Sequence, residues 1–114
     1  MSYDLAVWDG ERPRDAEAGE VFDGLFEHYL GSEDVLVEPS PRIAAYIAAL
    51  VERYPDDVPG SPWVSPPVMD EAAGPIVYLL MSYSRAEEVS ECAAVLAREH
   101  GLVCYDPQGE TLRG

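Results

Sequence analysis

The sequence predicts an α+β fold, a two-layer sandwich in which helices cover one face of a mostly antiparallel sheet. Two observations lead to this prediction. Apolar segments with strand spacing lie near both ends of the chain and after its centre, and apolar stripes with helical spacing lie between them. The predicted order is β–α–α–(β)–β–α–β, in which the bracketed strand is a short segment of a proline-rich loop. A length of 114 residues suits a single domain spanning 1–114.

The opening of the chain predicts one strand and one helix. Residues 2–8 alternate with a period of two, which predicts a strand that ends at the turn of residues 9–10. The first helix is predicted to have Asp15 as its N-cap and Gly31 as a left-handed residue just beyond its end. The apolar stripe of this helix consists of Val21, Phe22, Leu25, Phe26, Tyr29 and Leu30.

A second helix is predicted between Ser40 and Pro55. Ser40 is expected to be the N-cap, and Pro41 suits the first helical position because its missing N–H would have no partner there. The predicted apolar stripe consists of Ile43, Tyr46, Ile47, Leu50, Val51 and Tyr54.

The stretch 55–75 is predicted to be a proline-rich loop. It holds six of the ten prolines, which favours extended backbone. A loop of this length is uncommon in a compact domain. We therefore expect Trp63 and Val68 to be buried and to anchor it, with a short edge strand at residues 63–64.

The last part of the chain predicts strand, helix and strand. Residues 76–83 form a continuous apolar run, which is typical of a central strand buried on both faces. Ser84 and Glu87 fit the S-x-x-E capping box, so a third helix is predicted to begin there. Gly101 is predicted to end that helix, and residues 102–105 to form a short strand.

The charge balance limits the classes of partner. Seven arginines, without any lysine, against 22 acidic residues give a net charge of −15 and a pI near 4.1. Such a chain lacks the cations that nucleic-acid binding requires. The longest apolar run, residues 43–51, is far shorter than the roughly 20 residues of a membrane span, and the acidic start is unlike a secretory signal. We expect a cytoplasmic protein that binds neither nucleic acid nor membrane.

Four side chains are candidates for metal or thiol chemistry: His28, His100, Cys92 and Cys104. None of them falls in a C-x-x-C, H-x-x-x-H or H-E-x-x-H spacing, so the sequence predicts no metal, no cofactor and no catalytic residue. Both cysteines lie in apolar segments, where thiols act as small packing residues. The sequence leaves open whether the two form a disulfide.

Carboxylates are concentrated early in the chain. Ten lie between Asp9 and Glu38, against two arginines. Like charges repeated on one helix face cost a few tenths of a kcal/mol per pair. One interpretation is a solvated helix face. The other is a negative surface, gathered on one side of the molecule, that binds a basic protein partner. The residues predicted for that surface are Glu17, Glu20, Asp23, Glu27 and Trp63.

Two further hypotheses remain beside a protein-binding role. A small-molecule binder or enzyme would use a cleft at the end of the central strand, with Ser82, Tyr83 and Arg85 as its ligand site. A homo-oligomer would use the proline-rich loop 55–75 as its interface.

Three segments of the sequence resemble a known group of proteins. They are Ser-Tyr-Asp-Leu-Ala-Val-Trp at 2–8, Ser-Pro-Trp at 61–63 and Arg-Glu-His-Gly-Leu-Val-Cys-Tyr-Asp-Pro-Gln at 98–108. Together they resemble a group of small acidic, uncharacterised bacterial proteins, chiefly actinobacterial. Some small acidic proteins of this kind are immunity partners that neutralise a secreted toxin domain. The resemblance implies an immunity-type inhibitor of a basic toxin, and it carries no catalytic motif.

Overall fold

The computed structural model describes residues 2–31, 37–64 and 66–113. Five strands form one antiparallel sheet, in agreement with the predicted α+β class. The strands are β1 (Ser2–Trp8), β2 (Ala72–Ala73), β3 (Ile76–Ser82), β4 (Val103–Asp106) and β5 (Thr111–Arg113). Their spatial order is β2-β3-β1-β4-β5.

Strand β1 lies in the middle of the sheet. It pairs with β3 along its whole length, from Ser2 opposite Ser82 to Trp8 opposite Ile76. On its other side it pairs with β4, where Ala6 faces Tyr105. Because β3 and β4 are both antiparallel to β1, they run parallel to each other, and the helix between them crosses over β1.

Helices cover both faces of this sheet. They are α1 (Asp15–Leu25), continued by a π-helical turn (Phe26–Leu30), α2 (Pro41–Arg53) and α3 (Ala86–Glu99). Leu5 and Val7 point toward α2 and α3, whereas Ala6 and Trp8 point toward α1. Consecutive β1 side chains from Leu5 to Trp8 are buried alternately on the two faces of the sheet. The structure therefore corrects the prediction that all helices lie on one face. No helix in the described parts of the chain is long and apolar enough to cross a bilayer.

Two predicted helix ends are confirmed. The backbone N–H of Ile43 donates to Ser40 Oγ at 3.3 Å, with Pro41 in the first helical position. At the end of α3, Gly101 has φ +71°, and the N–H of Leu102 donates to the carbonyl of Ala97 at 2.8 Å. This pattern of bonds closes the last turn of the helix.

Three other predictions about helix ends are wrong. Arg14, and not Asp15, occupies the N-cap position of α1, and the Asp15 carboxylate accepts a bond from the N–H of Leu112 in β5. Gly31 has φ −87° and stays right-handed because the helix ends through a π turn. Ser84 lies in a 3₁₀ turn before α3, so it does not cap that helix with Glu87.

The proline-rich loop is anchored as expected, with Trp63 and Val68 both buried. In place of an edge strand at residues 63–64, Trp63 forms a single bridge to Met81. The N–H of Val64 donates to the carbonyl of Leu80 at 2.9 Å, which continues this pairing. At the other end of this edge, strand β2 pairs with Ile76 and Val77 of β3, so short paired segments protect both ends of the edge.

Candidate functional site

The outward face of α1 carries the predicted acidic residues. Ala18 is buried on the inner side of this helix, and Phe22 and Leu25 pack partly into the core. At 100° per residue, the positions opposite that inner side are acidic and exposed. They are Glu17, Glu20 and Asp23 on α1, together with Glu27 on the π-helical turn that continues it.

The carboxylates of this face are largely unpaired. Glu17 forms an ion pair with Arg14, one turn earlier. Glu20, Asp23 and Glu27 form no ion pair with any residue that the structure describes. The sequence has no lysine or arginine between residues 15 and 31, so α1 itself offers no compensating cation. We call Glu17, Glu20, Asp23 and Glu27 the α1 acidic face.

Negative charge is not gathered on one side of the molecule. The opposite layer also exposes acidic side chains on α3: Glu87, Glu88, Glu91 and Glu99. There, Glu88 is paired with the N-cap residue Arg85, whose Nε lies 2.5 Å from its Oε1, in the same way as Glu17 is paired with Arg14 on α1. The two faces differ in that α3 also carries Arg98 within the helix and lies beside Arg53 of α2, whereas α1 has no arginine beyond its N-cap.

Trp63 does not belong to the α1 acidic face. Only 5% of its surface is exposed, and it packs in the core cluster of α2 and α3, on the opposite side of the sheet. Its indole Nε1 donates to the carbonyl of Tyr54 at 2.7 Å. The prediction that Trp63 reaches into a partner beside the α1 acids is therefore corrected.

The alternative ligand residues lie at the end of β3 and in the 3₁₀ turn that follows it. The N–H of Ser82 donates to the carbonyl of Pro62, and Tyr83 is 54% exposed. The Arg85 guanidinium donates a hydrogen bond to the Glu88 carboxylate and lies 5.9 Å from the centre of the Tyr54 ring. A cationic side chain already neutralised in this way is poorly placed to bind an anionic ligand.

A groove with a volume of about 260 Å³ lies instead along α3 beside the end of α2. The residues that line it are Arg53, Glu88, Glu91, Cys92, Val95, Leu96 and Glu99. Sequence reasoning missed it because its walls come from two separate helices. The one signal in the sequence was Val95, an apolar residue among the outward glutamates of α3.

The two cysteines are free thiols, so the disulfide that the sequence left open does not form. Burial raises the pKa of Cys104 to about 12 and also raises the pKa of Cys92. Both thiols are therefore protonated at neutral pH, which makes them weak nucleophiles. His28 and His100 each stand edge-on to a tyrosine ring. Among the described residues, no group of three His, Cys, Asp or Glu side chains is placed to hold a metal ion.

Two tyrosine–carboxylate pairs fix β1 in the sheet. Tyr3 Oη donates to Asp106 Oδ2 at 2.8 Å, and Tyr78 Oη donates to Asp4 Oδ2 at 2.8 Å. Gln108 joins the two pairs, because its Nε2 donates to the Asp4 carbonyl and to Asp106 Oδ1. Burial of Asp106 opposes ionisation, but hydrogen bonds from Tyr3 and from the turn at Gln108 outweigh it and lower its pKa. These acids are structural.

No family model matches the chain, and no curated protein or solved structure matches it.

Proposed function

We propose that this chain is a non-enzymatic binding protein that captures a basic protein partner on the α1 acidic face. The observation that carries the proposal is the set of exposed carboxylates on α1, of which Glu20, Asp23 and Glu27 have no ion-pair partner among the described residues. Their mutual repulsion lowers the stability of the free helix, and a cationic surface would relieve it.

The support beneath this face favours binding with little rearrangement. Phe22 packs against Tyr78, with ring centroids 5.9 Å apart, and against Tyr105 at 5.5 Å. Phe26 adds an edge-on contact with Tyr78 at 5.3 Å. Because the helix is fixed to the sheet by these aromatic contacts, its carboxylates are already arranged before a partner arrives, which reduces the ordering cost of association.

The proposed mode of action is obstruction of the partner by contact. A negative surface steers a basic protein into encounter, and the net charge of −15 strengthens this steering at low ionic strength. We propose further that the protein works in the cytoplasm as an immunity-type inhibitor of a basic toxin domain. The motivation is the charge together with the resemblance noted above.

The test is affinity capture of the product of the neighbouring gene by the immobilised chain, in rising salt. We compare the parent with the triple variant Glu20→Gln, Asp23→Asn, Glu27→Gln. Each exposed ion pair contributes up to about 1 kcal/mol, so loss of all three weakens binding roughly five- to a hundred-fold. The control is the triple variant Glu87→Gln, Glu91→Gln, Glu99→Gln, which changes the net charge equally on the opposite face.

We expect the control to bind within about two-fold of the parent, since exposed charges distant from an interface are largely screened. Equal weakening by both triple variants would show that only total charge matters, and binding that does not depend on salt would exclude electrostatic capture. Either result would overturn the proposal for the α1 acidic face.

A further inference from the structure

The groove beside α3 combines an apolar floor with charged walls. Leu96 is 7% exposed and Cys92 is half-buried, so these two side chains form its base. Val95 is 38% exposed and extends the apolar surface outward. An apolar strip of this kind between charged walls suits a ligand that has an aliphatic part and charged ends.

Two carboxylates stand at the ends of this floor. Glu91 and Glu99 are separated by eight residues, or about 12 Å along the helix axis, and Val95 lies midway between them. Neither forms an ion pair with a residue in the described ranges. Glu88 is already paired with Arg85, and Arg53 contributes the one positive charge of the lining.

We propose that this groove binds a linear aliphatic polyamine. Its terminal ammonium groups would pair with Glu91 and Glu99, and its methylene segments would lie on Val95 and Leu96, with an inner ammonium group facing the open, solvated side of the groove. The two carboxylates at the ends of the floor, against the single guanidinium of Arg53 in the lining, disfavour an anionic occupant, and a bare metal ion would gain nothing from the apolar floor. The volume of about 260 Å³ is below the range of pockets for drug-sized ligands and suits a thin chain.

This site is independent of the α1 acidic face, because α1 and α3 lie on opposite faces of the sheet. The proposed capture of a basic protein can therefore fail while amine binding succeeds, and the reverse holds as well.

The experiment is a titration of the full chain followed by NMR at constant ionic strength, with three probes. Spermidine has terminal ammonium groups far enough apart to reach both carboxylates. Putrescine is a shorter diamine, and hexaamminecobalt(III) carries the same triple charge as spermidine without an aliphatic chain. We expect spermidine to shift the amide and methyl signals of Val95 and Leu96 at lower concentration than either of the other two probes.

Variants test the roles of the lining residues. Glu91→Gln and Glu99→Gln should each weaken spermidine binding about two- to five-fold, as expected for one exposed ion pair. Val95→Ala should weaken it as well, while it favours the helix and so preserves folding. Arg53→Gln should strengthen binding because it removes the competing cation.

The matched control is Glu20→Gln on α1, which removes the same charge on the other face of the sheet. The proposal stands if Glu20→Gln leaves spermidine affinity unchanged. It is overturned if Glu20→Gln and Glu99→Gln weaken binding equally, if hexaamminecobalt(III) shifts the same signals as effectively, or if spermidine leaves Val95 and Leu96 unshifted.

Discussion

Replacement of Tyr3 by phenylalanine should reveal how strongly the network at the end of β1 stabilises the fold. The Tyr3 hydroxyl donates to Asp106 Oδ2 at 2.8 Å and accepts a bond from Arg113 at 3.3 Å. A buried hydrogen bond to a charged acceptor contributes roughly 1.5–3 kcal/mol. Both residues are only partly buried, so we take the lower end and expect Tyr3→Phe to lower the free energy of unfolding by about 1–1.5 kcal/mol at neutral pH.

The pH dependence of this loss has a definite sign. The hydrogen bonds at Asp106 lower its pKa in the folded state, so their stabilising effect is complete above the pKa of the unfolded state, near 4. It is lost as the pH falls through the lower, folded value. Tyr3→Phe removes one of the hydrogen bonds that lower the pKa of Asp106. The difference in stability between parent and variant should therefore shrink below about pH 4.

Urea unfolding at several pH values between 7 and about 3 measures this difference. Tyr83→Phe is the matched control, because its side chain is 54% exposed and its hydroxyl has no hydrogen-bond partner among the described residues. We expect the control to change stability by less than about 0.5 kcal/mol. A Tyr3→Phe loss that stays constant or grows toward low pH would refute the reasoning.

Three further predictions concern helix ends, a glycine and the thiols. Ser40→Ala should lower the free energy of unfolding by about 1 kcal/mol, because it removes the α2 cap, whereas Ser84→Ala should change it little. Gly24→Ala should raise it by about 0.5–1 kcal/mol, since an added Cβ meets no atom there and the residue lies within α1; urea unfolding checks both. Iodoacetamide should label the partly exposed Cys92 slowly, because its raised pKa leaves little thiolate, and should leave the buried Cys104 intact in the folded chain, as mass spectrometry of the product would show.

The existence of the helices and strands could be predicted because their signals are local. The stripe from Ile43 to Tyr54 and the apolar run at residues 76–83 each contain enough information to define an element. The faces on which the helices lie could not be predicted in the same way. Alternation along residues 2–8 is typical of a strand with one better-buried face, yet Ala6 and Trp8 are buried under α1 while Leu5 and Val7 are buried on the opposite face.

The errors at helix ends have a common physical cause. Asp15 fits a cap in its local sequence, but its carboxylate bonds to Leu112, almost a hundred positions later in the chain. Likewise, a 3₁₀ turn moves the start of α3 past Ser84. In both cases a contact or turn outside the capping pattern decides the geometry, and a window of four residues holds no information about it.

The candidate sites differ in how far the sequence determines them. The α1 acidic face lies within one continuous helical segment of the chain, so helical spacing alone placed Glu20 and Glu27 on its exposed side. Trp63 was assigned to the same surface only by residue type, whereas it packs in the core beside α2 and α3 and bridges to Met81, which is distant in the sequence. The groove requires Arg53 and Cys92 to meet across two helices, which sequence spacing does not describe.

The position of β1 determines when this chain can fold during synthesis. The strand that becomes the centre of the sheet leaves the ribosome before both of its neighbours, since Trp8 pairs with Ile76 and Ala6 with Tyr105. Pairing over such long separations is slow because a large loop must close first. Until β4 has emerged, one edge of β1 has no partner, so translation arrested before that point yields a nascent chain prone to aggregation.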